Sequence, residues 1–220
     1  MELGKAYSWF PIVGLVLGIL LMTVDWGLRQ ILPSLPGAVL LLIVWVAFTG
    51  LLHLDGFIDC CDALLPPRSA ERRLAILKDV HAGAFGVVGV VLLLLLKLSL
   101  VQALPVAWRW AILLNAPVLG RWAMVWLAVR YQPARQEGMG HLFRQGLGPA
   151  QLGWATLWTL VTAVLSLGGW GLGLVGAAWL VTWLFARWTL RRIPGLTGDV
   201  YGAGCELIEA AILLCSLMLF

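Results

Sequence analysis

The chain has 220 residues, of which 61% are hydrophobic and 12% charged, with a net charge of +4. Soluble domains carry about 25% charged residues, and a water-exposed fold of this length cannot hide so much apolar side chain. A mean hydropathy of +0.94 points to a bilayer as solvent. The modest positive charge does not mark a nucleic-acid binder, because no basic stripe carries interleaved aromatics, and no nucleic-acid partner is expected.

Apolar runs predict helices near 11–31, 37–56, 83–101, 108–129, 151–167, 170–187 and 204–220. The runs are uninterrupted rather than alternating, which excludes a barrel and gives an all-α, polytopic membrane bundle. Each bilayer crossing needs about 20 apolar residues. The last three runs are shorter, so the expectation is about seven spans, with six as the lower count. Breakers separate them: "PSLP" at 33–36, "PP" at 66–67, "GLGP" at 146–149, "GGWG" at 168–171 and "IPGLTG" at 193–198. One transmembrane domain over 1–220 is expected. The first run lacks a cleavage pattern and needs no signal peptide to explain it. Lys and Arg concentrate in 57–82, 130–150 and 188–203, through Arg68, Arg72, Arg73, Lys78, Arg130, Arg135, Arg144, Arg191 and Arg192. Arg29 and Arg109 fall on the other side, so the three basic loops are expected to be cytoplasmic.

The first polar cluster is "HLDGFIDCCD", 53–62. Asp55, Asp59 and Asp62 are spaced i, i+4 and i+7, within about 60° of one another on a helix. Read as the C-terminal end of the second span, they also oppose the helix dipole. Three repelling carboxylates need a positive partner. A basic side chain is one answer; a hard divalent cation is the better one, because Mg²⁺ takes oxygen ligands and keeps waters or substrate phosphates, and Mn²⁺ fits the same donors. His53 lies about 160° round the helix from Asp55 and reads as a packed or interfacial histidine. Cys60, Cys61, Cys205 and Cys215 have no zinc spacing and read as small buried side chains.

The next cluster is "ILKDVHAGAFG", 76–86. Asp79 is a fourth candidate metal ligand, Lys78 a point charge for phosphate and His81 a weaker candidate for proton transfer. Gly83 and Gly86 bring the next helix close, with free N–H groups for an anion. In the fourth run, Asn115 and Arg121 are candidate substrate-binding residues, since a polar group at that depth has to face the bundle interior. Arg130 opens the second basic loop, with Tyr131, Arg135, Glu137 and "EGMG" at 137–140. The third loop, "IPGLTGDVYGAGCELIE" at 193–209, offers Thr197 and Asp199 among glycines. Glu206 and Glu209 there read as early-helix acids favoured by the dipole. All three polar loops fall on one membrane face. A channel or an alternating-access transporter places polar residues through the span or at its midplane; a catalytic site at the interface fits better.

"HLDGFIDCCDALL" at 53–65, "LKDVHAGAFGVVG" at 77–89 and "GLTGDVYGAG" at 195–204 resemble the three signatures of the adenosylcobinamide-GDP ribazoletransferase, or cobalamin 5'-phosphate synthase, family. "FPIVGLVLG" at 10–18 and "YQPARQEGMG" at 131–140 agree in kind and order, so the resemblance covers nearly the whole chain. It implies an integral enzyme of the cell (inner) membrane with its active site facing the cytoplasm. The implied reaction passes the adenosylcobinamide phosphate moiety from adenosylcobinamide-GDP to α-ribazole or its 5'-phosphate, with release of GMP and a requirement for Mg²⁺. The family's aspartate pattern falls on Asp55, Gly56, Asp59 and Asp62, its "KD" pair on Lys78 and Asp79, its glycines on Gly83 and Gly86, and its "TGD" on Thr197, Gly198 and Asp199. The chain departs from the pattern at Ala63, where the family has glycine. It also lacks the short proline motif before "FP", which makes it a short member or one with a displaced start.

Both lines give the same expected mechanism. Asp55, Asp59, Asp62 and Asp79 hold the metal, which bridges the diphosphate and neutralises charge on the leaving GMP. Basic side chains stabilise the same charge, and Asp79 or Asp62 takes the acceptor's proton. The rival readings are a CDP-alcohol phosphotransferase, whose pattern needs more distal aspartates, and a divalent-cation or small-molecule transporter.

Overall fold

The computed structural model describes residues 3–134 and 146–219; Arg135, Glu137 and Arg144 lie outside the described residues. Among the described residues a 3-10 turn, Leu3–Trp9, leads into nine α-helices: α1 (Phe10–Ile31), α2 (Ser34–Phe48), α3 (Leu52–Leu64), α4 (Ala70–Ile76), α5 (Ala84–Ala103), α6 (Arg109–Arg130), α7 (Pro149–Leu167), α8 (Gly169–Leu190) and α9 (Gly198–Leu219). Among the described residues the only β-structure is an isolated bridge between Pro133 and Leu196. Among the described residues six segments are long and apolar enough to cross a membrane: Gly4–Ile31, α5, α6, α7, α8 and α9. The bent pair α2–α3 makes a seventh if it counts as one span. The expected polytopic bundle of six or seven spans is what the chain forms. The last two helices run 22 residues each, longer than their apolar runs suggested.

α6 is the axis of the bundle, buried along almost its whole length. α1 packs against it in the opposite sense through Gly14 and Gly18; a Cβ on either would lie 2.6 Å from the carbonyl oxygen of Pro117 or Leu114. Only glycine permits that backbone approach, and close approach is how membrane helices gain dispersion energy without a hydrophobic drive. α9 packs on α6 and α3, and α7 and α8 complete the wall.

The predicted helix over 37–56 is two helices turned by 90°. The break lies at Gly50 and Leu51, both left-handed at φ 59° and 58°. Leu51 N–H bonds the Val46 carbonyl and Gly50 N–H the Ala47 carbonyl, the pairing that closes a helix on a glycine. α3 is thereby released from the second span. Asp55 stands in the first turn of α3, where the helix dipole favours an anion, not at a C-terminal end. α9 likewise begins at Gly198 rather than 204, so Glu206 and Glu209 lie about two to three turns inside it and are not early-helix acids.

Candidate active site

α3 carries the three aspartates and is held from every side. Glycines let its neighbours approach: Gly56 packs on the Asp199 backbone, Gly202 on the His53 backbone, and Gly89 on Cys61. At its C-terminus the open carbonyls of Ala63 and Leu64 accept hydrogen bonds from Arg73 Nη1 at 2.9 and 2.7 Å. Arg73 is buried, and its Nε also donates to the Arg68 carbonyl at 2.9 Å. It thus caps α3 from α4, and α4 is itself capped by the Ser69 hydroxyl.

Asp62 is 9% exposed. Its two oxygens accept the Gly83 and Gly86 N–H groups at 2.7 and 2.9 Å. The anion that the start of α5 captures is therefore a carboxylate of the protein. A Cβ at Gly83 or Gly86 would collide with that carboxylate, which is why both positions are glycine. Half-buried Asp59 stands within electrostatic reach of Asp199, Asp55, Asp62 and Asp79. The Thr197 hydroxyl donates to Asp199 at 3.1 Å. Among the described residues no hydrogen bond or ion pair joins the side chain of Asp55 or Asp59 to another group, so the cluster is crowded with like charge.

Asp79 is exposed and turned to His81: its Oδ1 lies 2.7 Å from His81 Nδ1 and accepts the His81 N–H at 3.1 Å. Hydrogen bonds from the His81 ring and backbone hold the Asp79 carboxyl below the usual carboxylate range. Lys78 is exposed just beyond α4, and Arg130 is exposed at the last residue of α6. The loops after α6 and before α9 are knitted together: Ala134 N–H donates to the Leu196 carbonyl at 2.9 Å and Leu196 N–H to the Gln132 carbonyl at 3.0 Å. "YQPA" and "GLTGD" therefore meet on the same face as the aspartates.

Two sequence candidates lie elsewhere. Asn115 is fully buried in the α6–α7 contact and donates to the Ala111 carbonyl at 2.8 Å and Ser166 Oγ at 2.7 Å. Arg121 does face the interior, but its partners are Glu209, which accepts from Nη1, and His53, whose Nδ1 is 3.4 Å from Nη2. The same network holds Lys97, whose Nζ donates at 2.6 Å to both Glu206 and Glu209. A second buried pair joins Arg109 to Asp25 through two bonds of 2.7 Å. Lys97, Asp25 and Arg73 carry no motif. For the first two the available signal was a charge inside an apolar run, which always needs a partner; for Arg73 there was none.

Oxygen-only donors suit a hard divalent ion. Among the described residues, however, no group of three or more His, Cys, Asp or Glu side chains is converged to hold one. Mg²⁺ does not require such a cage, because it commonly binds through one or two carboxylates and completes its shell with water and substrate phosphate. The donor set therefore fits this ion in partnership with a diphosphate.

No solved structure matches the chain. The cobalamin-5-phosphate synthase family model matches residues 1–217. Among relatives, the adenosylcobinamide-GDP ribazoletransferase of Geotalea daltonii is 42% identical over 97% of this chain and 86% of its own. That of Roseiflexus sp. is 40% identical over 95% and 78%, and that of Desulforamulus reducens 36% over 99% and 87%. With the aspartate helix, the glycine-led start of α5 and the "TGD" turn gathered at one end of a membrane bundle, the chain belongs to the cobalamin-5-phosphate synthase family.

Proposed function

We infer that the carboxylate cluster of α3 and α9 is where this chain carries out the family's reaction. In that reaction an acceptor hydroxyl attacks the adenosylcobinamide-bearing phosphorus of adenosylcobinamide-GDP. The bond from that phosphorus to the bridging oxygen breaks, and GMP leaves. The acceptor is α-ribazole or its 5'-phosphate, and the product is adenosylcobalamin or its 5'-phosphate. Because a 5'-phosphate is compatible with the reaction, the attacking group is another ribose hydroxyl.

One observation carries the reading: Asp55 and Asp59 have no counter-charge among the described residues, although the buried acids Asp25, Glu206 and Glu209 all do. Asp59 and Asp199 would hold Mg²⁺ or Mn²⁺, which when bound supplies charge neutralisation to the diphosphate and the departing GMP. Asp62 fixes the start of α5 beside them. Lys78 and Arg130 offer positive charge to the donor from the same face. With Asp62 engaged by amides and Asp79 by His81, Asp55 is the carboxylate left to accept the acceptor's proton, in place of the two bases the sequence suggested.

The same face carries Arg68, Arg72, Arg73, Lys78, Arg130, Arg191 and Arg192, and an excess of this kind marks the cytoplasmic side of the cell (inner) membrane. A nucleotide-activated donor arriving from the cytoplasm fits that orientation. The test is direct. Purified chain with Mg²⁺, adenosylcobinamide-GDP and α-ribazole 5'-phosphate is expected to release GMP and a cobalamin product in equal amounts, and to stop without the metal. GMP without cobalamin would mean hydrolysis, and no GMP from folded protein would reject the assignment.

A further inference from the structure

The end of the bundle away from the carboxylates holds a second polar recess, where the last turn of α1, the start of α2 and the connection from α5 to α6 meet. Two cavities lie there, of about 340 and 150 Å³, and both are lined by Asp25, Arg29, Val106 and Arg109. Trp26, Gln30 and Trp110 border the larger one, and Ser34 and Gln102 the smaller. Asp25 and Arg29 stand at i and i+4 of α1, a spacing at which opposite charges commonly pair. Here they do not. Both Asp25 oxygens are taken by Arg109, through Nε and Nη2 at 2.7 Å each, and Arg109 Nη1 donates to the Val101 carbonyl. Arg109 thus cancels the one carboxylate on these linings and is itself held fast. Arg29 is exposed and forms no hydrogen bond or ion pair among the described residues. Its place in the last turn of α1 suits the helix dipole, but the dipole gives no reason for the two cavities it lines. The recess is left with one uncompensated positive charge.

We propose that this recess binds the headgroup of an anionic phospholipid, with Arg29 receiving its phosphate and Gln30, Ser34 and Gln102 meeting the headgroup hydroxyls. Depth is the first reason. Arg29 lies two residues from the end of α1, and Arg109 is the first residue of α6, so the recess sits where the spans leave the hydrocarbon. Trp26 and Trp110 beside it are exposed, as tryptophans are at the level of lipid headgroups. The anion that abounds at that depth is a lipid phosphate. Charge is the second reason. A guanidinium with its five N–H donors open recognises phosphate through paired bonds. With Asp25 consumed by Arg109, no carboxylate on the linings is left for a headgroup ammonium. A glycerol headgroup therefore fits where an ethanolamine does not. Hydrogen bonding is the third. Gln30 Nε2 donates to the Trp26 carbonyl at 3.3 Å, which leaves its side-chain oxygen for a hydroxyl. The recess lies at the opposite end of the bundle from the aspartates, so the proposal stands independently of the reaction assigned above.

Lipid binding by the purified full chain tests this without any turnover. Native mass spectrometry with phosphatidylglycerol and phosphatidylethanolamine in equal amounts is expected to show the first bound lipid to be phosphatidylglycerol. Arg29→Gln is expected to lower that preference at least about fivefold, the worth of one cation beside an anionic headgroup, and Arg29→Lys to keep most of it. The basic loops at the other end of the bundle also attract anionic lipid, so the place of binding is read separately. A phosphatidylglycerol carrying a diazirine on its headgroup, photolysed with the wild-type protein, is expected to label residues within 22–38 or 102–110. This measurement uses the wild type alone, so it decides the matter even if a variant does not fold. An excess of inorganic phosphate is expected to leave the label in place. Equal retention of the two lipids by the wild type, an undiminished preference in Arg29→Gln, label confined to other segments, or displacement by inorganic phosphate would each overturn the proposal.

Discussion

Two regions of this protein hold acidic side chains in close company, and they treat them in opposite ways. Between α5, α6 and α9, Glu206 and Glu209 meet Lys97 and Arg121, so that two carboxylates face two cations. Lys97 also stacks over the Trp45 ring, 4.6 Å from its centre. About two to three turns away along α9, Asp55 and Asp59 of α3 cluster with Asp199 at the start of α9. There Asp62 is satisfied by amides, and Asp55 and Asp59 by nothing among the described residues. In hydrocarbon an unpaired charge costs several kcal/mol, and the interior network shows that this fold can supply partners where it needs them. We take the charges left unpaired at the membrane face to be kept for something that comes and goes.

The largest expected effect separates the two regions by stability. Lys97→Met leaves two buried glutamates with one cation, and breaking such a network costs about 3–5 kcal/mol. Thermal unfolding in detergent should fall sharply, or the protein should fail to accumulate. An unchanged melting temperature would show that the interior network contributes little. The second expectation has the opposite signature. Asp59→Asn should cut GMP release by at least about 10²-fold, while the melting temperature holds or rises because like charge is removed. Loss of folding in this variant would place Asp59 with the structural acids.

Asp62 sharpens the comparison because it belongs partly to each region. Asp62→Ala abandons both amides at the start of α5, and losing a helix cap costs about 1 kcal/mol. Both stability and turnover should fall, and a selective loss of turnover would mean that its capping bonds are incidental. The smallest effect is expected at Asp79, which is exposed and engaged by His81. Asp79→Asn should change turnover by no more than about threefold, the scale of a screened surface charge. A loss like that of Asp59→Asn would return it to the metal site that its place in the sequence suggested.

Much of this contrast could be read from residues alone, and the part that could not is specific. Aspartates at i, i+4 and i+7 do share one helix, and the described parts of the three basic loops do meet at one end. Spacing and composition are local properties, so they survive folding. The break at Gly50 was hidden because a lone glycine in an apolar run is common in membrane helices; the left-handed Leu51 beside it has no sequence signature. The partners of Lys97 lie 109 and 112 residues away, a distance no periodicity spans. Gly83 and Gly86 were legible as an anion site, but the anion they bind is Asp62, because α3 turns where the sequence ran straight. The region built from long-range pairs was thus the less visible one, while the open cluster, built within one helix, stood in plain view.

The account turns on whether the open cluster takes up a divalent cation, and calorimetric titration of Mg²⁺ into the purified protein with GDP present measures it most directly. One ion per chain is expected to bind the wild type and to be lost in Asp59→Asn, with Lys97 and its partners intact in both. Equal binding by the two proteins, or none by the wild type, would contradict it.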